Sequence, residues 1–194
     1  MRLDDICEIS AGLVLKRKEA SHEHEVVKSY KVITLKSFED DGWINFDYLE
    51  DYKSIELLDE RYISKQGDVL IRLSNPYTAV YITNEYEGLV IPSLFAILRT
   101  DISKVNPGYL SFVLNSETVK QSYFKNSMGI TIPVITMRTI RETEIPLQTL
   151  AKQSIVSKIN ELMIKEKKLL QQLSVEKDKL KREISKTILS WGGF

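Results

Sequence analysis

Apolar positions along this chain follow three successive rhythms. Through the first hundred residues they fall in short runs bounded by turn residues, the pattern of β-strands. "YKVITLKSF" (Tyr30 to Phe38) is rich in β-formers, and the "DDGW" after it carries turn chemistry. "GDVLIRLSN" opens on a turn glycine and runs apolar, as a half- or fully buried strand does. After "NPYT" come "AVYITN", "EG" and "LVIPSLFAILRT", which predict two or three strands joined by tight turns. From Pro107 the period lengthens. Tyr109, Phe112, Val113, Val119 and Tyr123 lie near helical spacing and predict one or two helices with the proline near the start. "RETEIP" predicts a last short strand closed by Pro146.

The third rhythm occupies Leu147 to Ser190, a stretch without proline or glycine. Ile155, Ile159, Leu162, Leu169, Leu173 and Leu180 fit alternating steps of four and three, with Glu166 and Glu176 in the two skipped positions. Ile184 and Ile188 continue the series with a slip of about one residue. A narrow stripe flanked by Lys and Glu fits a coiled-coil seam better than the broad face of a core helix. About forty residues span roughly 60 Å. The expectation is therefore pairing with another helix, parallel or antiparallel; the alternative is a helix folded back on its own domain. The predicted fold class is α+β: a mixed β-sheet domain with short helices over residues 1–147, one long coiled-coil helix over 148–190, and a tail at 191–194.

Composition changes this picture little. At 194 residues, 43% hydrophobic and 28% charged, the chain suits one soluble domain with a real core. A single cysteine, Cys7, excludes a disulfide framework or a four-cysteine zinc site within one chain. No apolar run approaches the roughly 18 residues of a membrane span. Acids in "MRLDDICEIS" stand where an export signal needs an apolar core, so a cytoplasmic protein is expected. Charge is more informative. The net charge of zero conceals 17 Lys/Arg against 22 Asp/Glu in residues 1–150, and 10 against 5 in residues 151–194. The body is too acidic for a general polyanion binder, so any nucleic-acid contact must be local.

Several stretches, in this order, resemble the specificity subunits of type I restriction–modification systems. "RLDDICEISAG" is similar to the family's opening, which leads to a glycine, here Gly12. "ISKQGDVLIRLS" resembles its turn Gly-Asp strand (Gly67, Asp68, Val69, Leu70, Ile71), and "VNPGYLSFVLNSETVKQ" its helix pair. "IRETEIPLQTLAKQSIVSKIN" resembles the junction before its long helix, through Ile145, Pro146, Leu150 and Gln153. The family's frequent second proline and glutamate are replaced at this junction by Gln148 or Thr149 and Lys152. The likeness runs over almost the whole chain. It implies a globular domain that reads half of a split DNA target, and a long helix serving as spacer and assembly platform. The usual subunit carries two such units, whereas this chain has length for one. The resemblance thus implies a half-size, non-catalytic subunit that dimerises through its helix to read a palindromic split site. The partners it implies are double-stranded DNA, DNA methyltransferase subunits and a restriction subunit. S-adenosylmethionine, ATP and Mg²⁺ belong to those subunits, and no cofactor to this chain.

Base reading needs bidentate groups such as Arg or Asn, and phosphate contacts need Lys, Arg or small donors. The candidates are Lys16, Arg17 and Lys18 after Gly12; Arg72, Ser74, Asn75 and Tyr77 at a strand-to-turn edge; Lys125 and Asn126; and Arg138, with Arg141 nearby. Each also has a plainer reading. The 16–18 run suits a solvated face, Asn75-Pro76 a favoured turn with Arg72 paired to an acid, and Lys125-Asn126 a helix C-terminus. The acidic run from Glu39 to Glu60 is expected to face away from the duplex.

Catalytic readings are weaker. "SNPYT" has one proline where the Asn-Pro-Pro-aromatic motif of amino-methyltransferases has two, and no glycine-rich strand-to-helix turn accompanies it. His22 and His24 lack an evident third ligand, and Cys7 an activating base. Asp40, Asp41, Asp51 and Asp59 lack the positioned lysine of a nuclease site. Two readings remain: a DNA-reading specificity subunit, or a regulatory half-subunit that binds partner proteins without reading DNA.

Overall fold

A run such as Val69-Leu70-Ile71 is apolar at every position because the strand it forms is packed on both faces. The computed structural model describes residues 1–127 and 133–191. Its strands are β1 (Cys7–Ala11), β2 (Lys28–Val32), β3 (Phe38–Glu39), β4 (Trp43–Ile44), β5 (Glu50–Ser54), β6 (Asp68–Arg72), β7 (Ala79–Tyr81) and β8 (Phe95–Thr100). Four α-helices follow: α1 (Pro107–Leu114), α2 (Glu117–Ser127), α3 (Met137–Arg141) and α4 (Leu150–Trp191). The main sheet has the order β1-β8-β6-β7, and each neighbouring pair is antiparallel. Val69 and Ile71 join a core with Leu3, Ile9, Leu110 and Tyr123 on the helical face. Leu70 points the other way, to Phe38, Ile44, Val80 and Ile97. Beyond that second face, β2 pairs with β5, and β3 with β4 in a short hairpin.

Local chemistry sets the helix boundaries. Asn106 caps α1 through its side chain, which accepts the Tyr109 N–H at 3.0 Å, and Pro107 occupies the first turn. The 107–127 stretch divides into two helices at Asn115. Its amide turns aside to edge strand β7, accepting the Ala79 N–H at 2.9 Å and donating to the Ala79 carbonyl at 2.7 Å. The open edge is thereby partly capped.

Two expectations need correction. Tyr30–Phe38 is not one strand: β2 ends at Val32, and a Thr34–Ser37 turn separates it from β3. "RETEIP" makes no strand either. Glu144 forms one bridge with Arg2, and the ladder stops at Pro146, which has no N–H to donate. The Pro146 carbonyl instead accepts the Tyr109 hydroxyl at 2.6 Å.

Helix α4 has 42 residues, close to the predicted span, and one buried polar side chain anchors its first turn. Gln153 is fully buried. Its carbonyl oxygen accepts the Asn106 N–H at 2.7 Å, while its amide nitrogen donates to the carbonyls of Lys104 (3.2 Å) and Gln148 (2.8 Å). One turn later α4 touches α1 so closely that a Cβ on Gly108 would stand 2.1 Å from Ser157 Oγ and 3.2 Å from Ser157 Cβ. Of the tail expected at 191–194, residues 192–194 lie outside the described residues.

Replacing Gln153 by leucine removes three part-buried hydrogen bonds to backbone groups. Urea unfolding should show a loss of about 2–4 kcal/mol, while an exposed control such as Ser154→Ala stays within about 0.5 kcal/mol. Burial also pushes the Cys7 thiol from an ordinary 9.0 up to about 12. The unfolded chain therefore releases this proton first. Stability from the thiol is complete below about pH 9 and declines as pH rises towards 12. Iodoacetamide at pH 8 should leave Cys7 unlabelled until denaturant is added.

Candidate nucleic-acid interface and rod

Strand polarity decides which loops meet. Both β1 and β6 run antiparallel to β8, and both finish where β8 begins, with Ala11 opposite Ala96 and Arg72 opposite Phe95. The loops after β1 and β6 therefore leave the same end of the sheet, about 10 Å apart across β8. Gly12 starts the first loop, where a Cβ would lie 2.1 Å from the Pro92 carbonyl oxygen and 2.4 Å from that of Ile91. Only glycine fits this backbone contact. Beyond it Lys16 and Arg17 are exposed and, among the described residues, form no ion pair. Lys18 differs, since its ammonium is bound to Glu56.

The second loop carries Arg72, half-buried, with Nε donating to Ser74 Oγ at 3.0 Å. Arg72 forms no ion pair among the described residues. Asn75 is exposed ahead of a cis bond to Pro76. Tyr77 is a correction: at 1% exposure its ring offers nothing to a base or phosphate. Its hydroxyl shares a 2.7 Å hydrogen bond with Ser127 Oγ at the end of α2, and its ring meets Tyr123 edge-on at 5.9 Å. The residue is a strut between the loop and α2.

That strut brings a third element to the same end. Lys125 and Asn126 lie exposed in the last turn of α2, with Asn126 Nδ2 donating to the Ser122 carbonyl at 3.0 Å. The returning chain is tied there too, by the Ile135 N–H to Leu73 carbonyl bond of 2.9 Å and the Ser74–Val134 bridge. Arg138 falls apart from this group. It lines a recess with Arg2, Asp4 and Arg141, and its guanidinium is held by Glu142 at 2.8 Å. Arg141 is engaged by Asp4 and by the Ile9 carbonyl.

One cation was missed by sequence reasoning. Lys36 is exposed, without an ion pair among the described residues, in a turn closed reciprocally by Thr34 and Ser37. The next residue but one, Phe38, packs its ring 4.8 Å from that of Phe95, at the beginning of β8. The signal was the Thr-x-x-Ser spacing in "TLKS", hidden inside a β-rich run. Leu94, half exposed, lies between these loops. The acidic hairpin turns elsewhere in part, since Asp41 pairs with Lys167 on α4. His22 and His24 stack at 5.5 Å within one short turn, and no group of three potential metal ligands occurs among the described residues.

The rod has two opposed faces. Gln153, Val156, Ser157, Asn160, Ile164 and Lys168 are its least exposed positions, spaced as one helical face, and this face meets the body. Leu162 and Leu180 lie nine and 27 residues beyond Gln153, and at about 100° per residue both stand half a turn away. Ile155, Ile159, Leu162, Leu169, Leu173, Leu180 and Ile184 are all exposed, each near half of its full accessibility. The predicted seam thus points away from the molecule's own core.

The model of the family described as type I restriction modification DNA specificity domain matches residues 1–176. No curated protein matches. Among solved structures, one from work on complex assembly and conformational transition of the type I restriction–modification system aligns with a TM-score of 0.64 and 16% identity, over 92% of this chain and 45% of that one. The HsdS subunit from Thermoanaerobacter tengcongensis gives 0.60 and 15%, over 91% and 44%. The type I S subunit from M. genitalium gives 0.55 and 14%, over 93% and 43%. At these identities the likeness is one of fold, and this chain spans less than half the length of those structures. No helix among the described residues is long and apolar enough to cross a membrane. By the family match over 176 residues, the chain belongs to the type I restriction–modification DNA specificity domains.

Proposed function

We propose that this chain is a non-catalytic specificity module that reads one half of a split DNA target and is paired through α4 with a second copy. The observation that carries the reading is the sheet end. Lys16, Arg17, Lys36, Lys125 and Arg72 sit there without acidic partners among the described residues, around the exposed amides of Asn75 and Asn126. Most cations elsewhere on the body are neutralised, as Lys31 is by Asp51, Lys53 by Glu23 and Lys65 by Glu60. An acidic body can hold a duplex only where its positive charge is left free. In this reading Arg72 and Asn75 face base edges, while Lys16, Arg17, Lys36 and Lys125 take phosphates.

The outward seam supports the second half of the proposal. A stripe of aliphatic side chains opposite the body has no intramolecular cover, and another rod of the same kind offers a matching surface. Two copies related by a two-fold axis would read a palindromic split site. Methyltransferase and restriction subunits would bring S-adenosylmethionine, ATP and Mg²⁺, with no cofactor held by this chain.

Fluorescence anisotropy with a selected duplex tests the readout. Lys36→Ala should weaken all sequences alike and lower the slope of log affinity against log salt by about one. Arg72→Ala should cost about 1–3 kcal/mol on the selected site and far less on random DNA. Absence of duplex binding, with salt-independent binding to a partner subunit instead, would favour the regulatory reading. For the rod, Leu162→Asp combined with Leu173→Asp should give monomers by multi-angle light scattering, with thermal unfolding of the body unchanged; a persistent dimer would rule out pairing through this seam.

A further inference from the structure

Between rod and body runs a groove of about 630 Å³, and its two ends are closed by different chemistry. At the proximal end the contacts are buried and rigid: the Gln153 amide, and the close approach of Gly108 to Ser157. The walls between are mixed, formed by Trp43, Tyr81 and Thr83 on the body and by Asn160, Glu161 and Ile164 on α4. At the distal end the contacts are ionic and lie near the surface. Lys167 pairs with Asp41, at the turn of the β3–β4 hairpin. Lys168 donates to the Tyr86 hydroxyl at 2.7 Å, lies 5.3 Å from the centre of that ring and reaches Glu85 at 3.4 Å. Half-buried Lys120 of α2 stands in the field of the same Asp40 and Asp41. Ile164 of the rod approaches the hairpin, its Cδ1 3.9 Å from the position a Cβ on Gly42 would take.

We infer that Lys167 and Lys168, with Asp41, Tyr86 and Glu85, are positioning residues: they form a latch that fixes the angle between recognition body and rod, and thereby the separation of the two half-sites. The consequence for spacing rests on the DNA reading proposed above; the latch itself does not. Geometry supplies the lever. Lys167 lies 14 residues from the Gln153 pivot, roughly 21 Å along the helix, and Lys181 lies 28 residues away, roughly 42 Å. A tilt of about 10° would shift Lys181 by roughly 7 Å, which equals about two base pairs at roughly 3.4 Å each. Buried amide contacts do not yield to salt, whereas exposed ion pairs do. The open groove between the walls leaves room for the movement.

Double electron–electron resonance reads this angle directly. Nitroxides are placed at Glu87→Cys on the body and Lys181→Cys on the rod, with labelled chain diluted in excess unlabelled chain. A single narrow distance is expected at low salt. Lys167→Glu with Lys168→Glu should shift or broaden it by at least about 5 Å, and exchange of partners (Lys167→Asp with Asp41→Lys) should restore the narrow distance. A distribution unmoved by the double charge reversal would overturn the latch, as would failure of the exchange to restore it in a chain of normal helicity. In parallel, duplexes differing only in spacer length are selected with both proteins. Relaxed choice by the reversed variant, over about two base pairs, supports the link to spacing. Unchanged choice with a moved distance breaks that link. No duplex binding by the unsubstituted chain refutes the DNA reading, while the distance measurement still decides the latch.

Discussion

One buried carboxamide anchors the rod of this molecule to its body. Gln153 stands on the first turn of the rod, yet its three hydrogen bonds all end on backbone groups outside that turn, at Lys104, Asn106 and Gln148. Its loss would remove three part-buried hydrogen bonds at once, a penalty of roughly a few kcal/mol and a large share of a small domain's stability. Because Asn106 also caps α1, the same residue couples the start of one helix to the start of another. The direction of the rod, the faces it shows and the position of its seam all descend from this anchor.

A second constraint acts at the sheet. With β1 and β6 both antiparallel to β8, their exits fall together without any long-range pairing of the loops themselves. The body is then divided by chemistry. One end of the sheet keeps Lys16, Arg17 and Arg72 without ion pairs among the described residues, while the hairpin carrying Asp41 turns to the rod and spends its charge there. The net acidity of residues 1–150 and a local positive surface are compatible once these two groups are separated in space.

Much of this was legible in the residues. The apolar run of β6, the proline at the start of α1 and the four–three spacing of α4 each follow from a local rule, and each element stands where that rule put it. The outward apolar stripe was legible because helical periodicity survives any tertiary arrangement. Loops were less so. Tyr77 was read as a surface aromatic because nothing nearby in sequence announces Ser127 and Tyr123, its partners some fifty residues on. Lys36 was hidden because Thr34 and Ser37 are good β-formers or neutral residues until they bond to each other. Arg138 was offered as a free donor, although Glu142 one turn later was visible as a partner. "RETEIP" satisfied a strand pattern but lacked a donor after Ile145 to extend the ladder.

The packing of β6 on both faces has an evolutionary consequence. Its side chains are committed to two cores, and so are those at the beginning of β8, which leaves the connecting tips as the variable part of the scaffold. The exposed tip residues Lys16, Arg17, Lys36 and Asn75 can therefore diverge with little penalty to folding, whereas Gly12 and Tyr77 at their roots cannot. In the DNA-reading proposal, new target preferences would arise by exchanging a handful of tip residues on an unchanged framework.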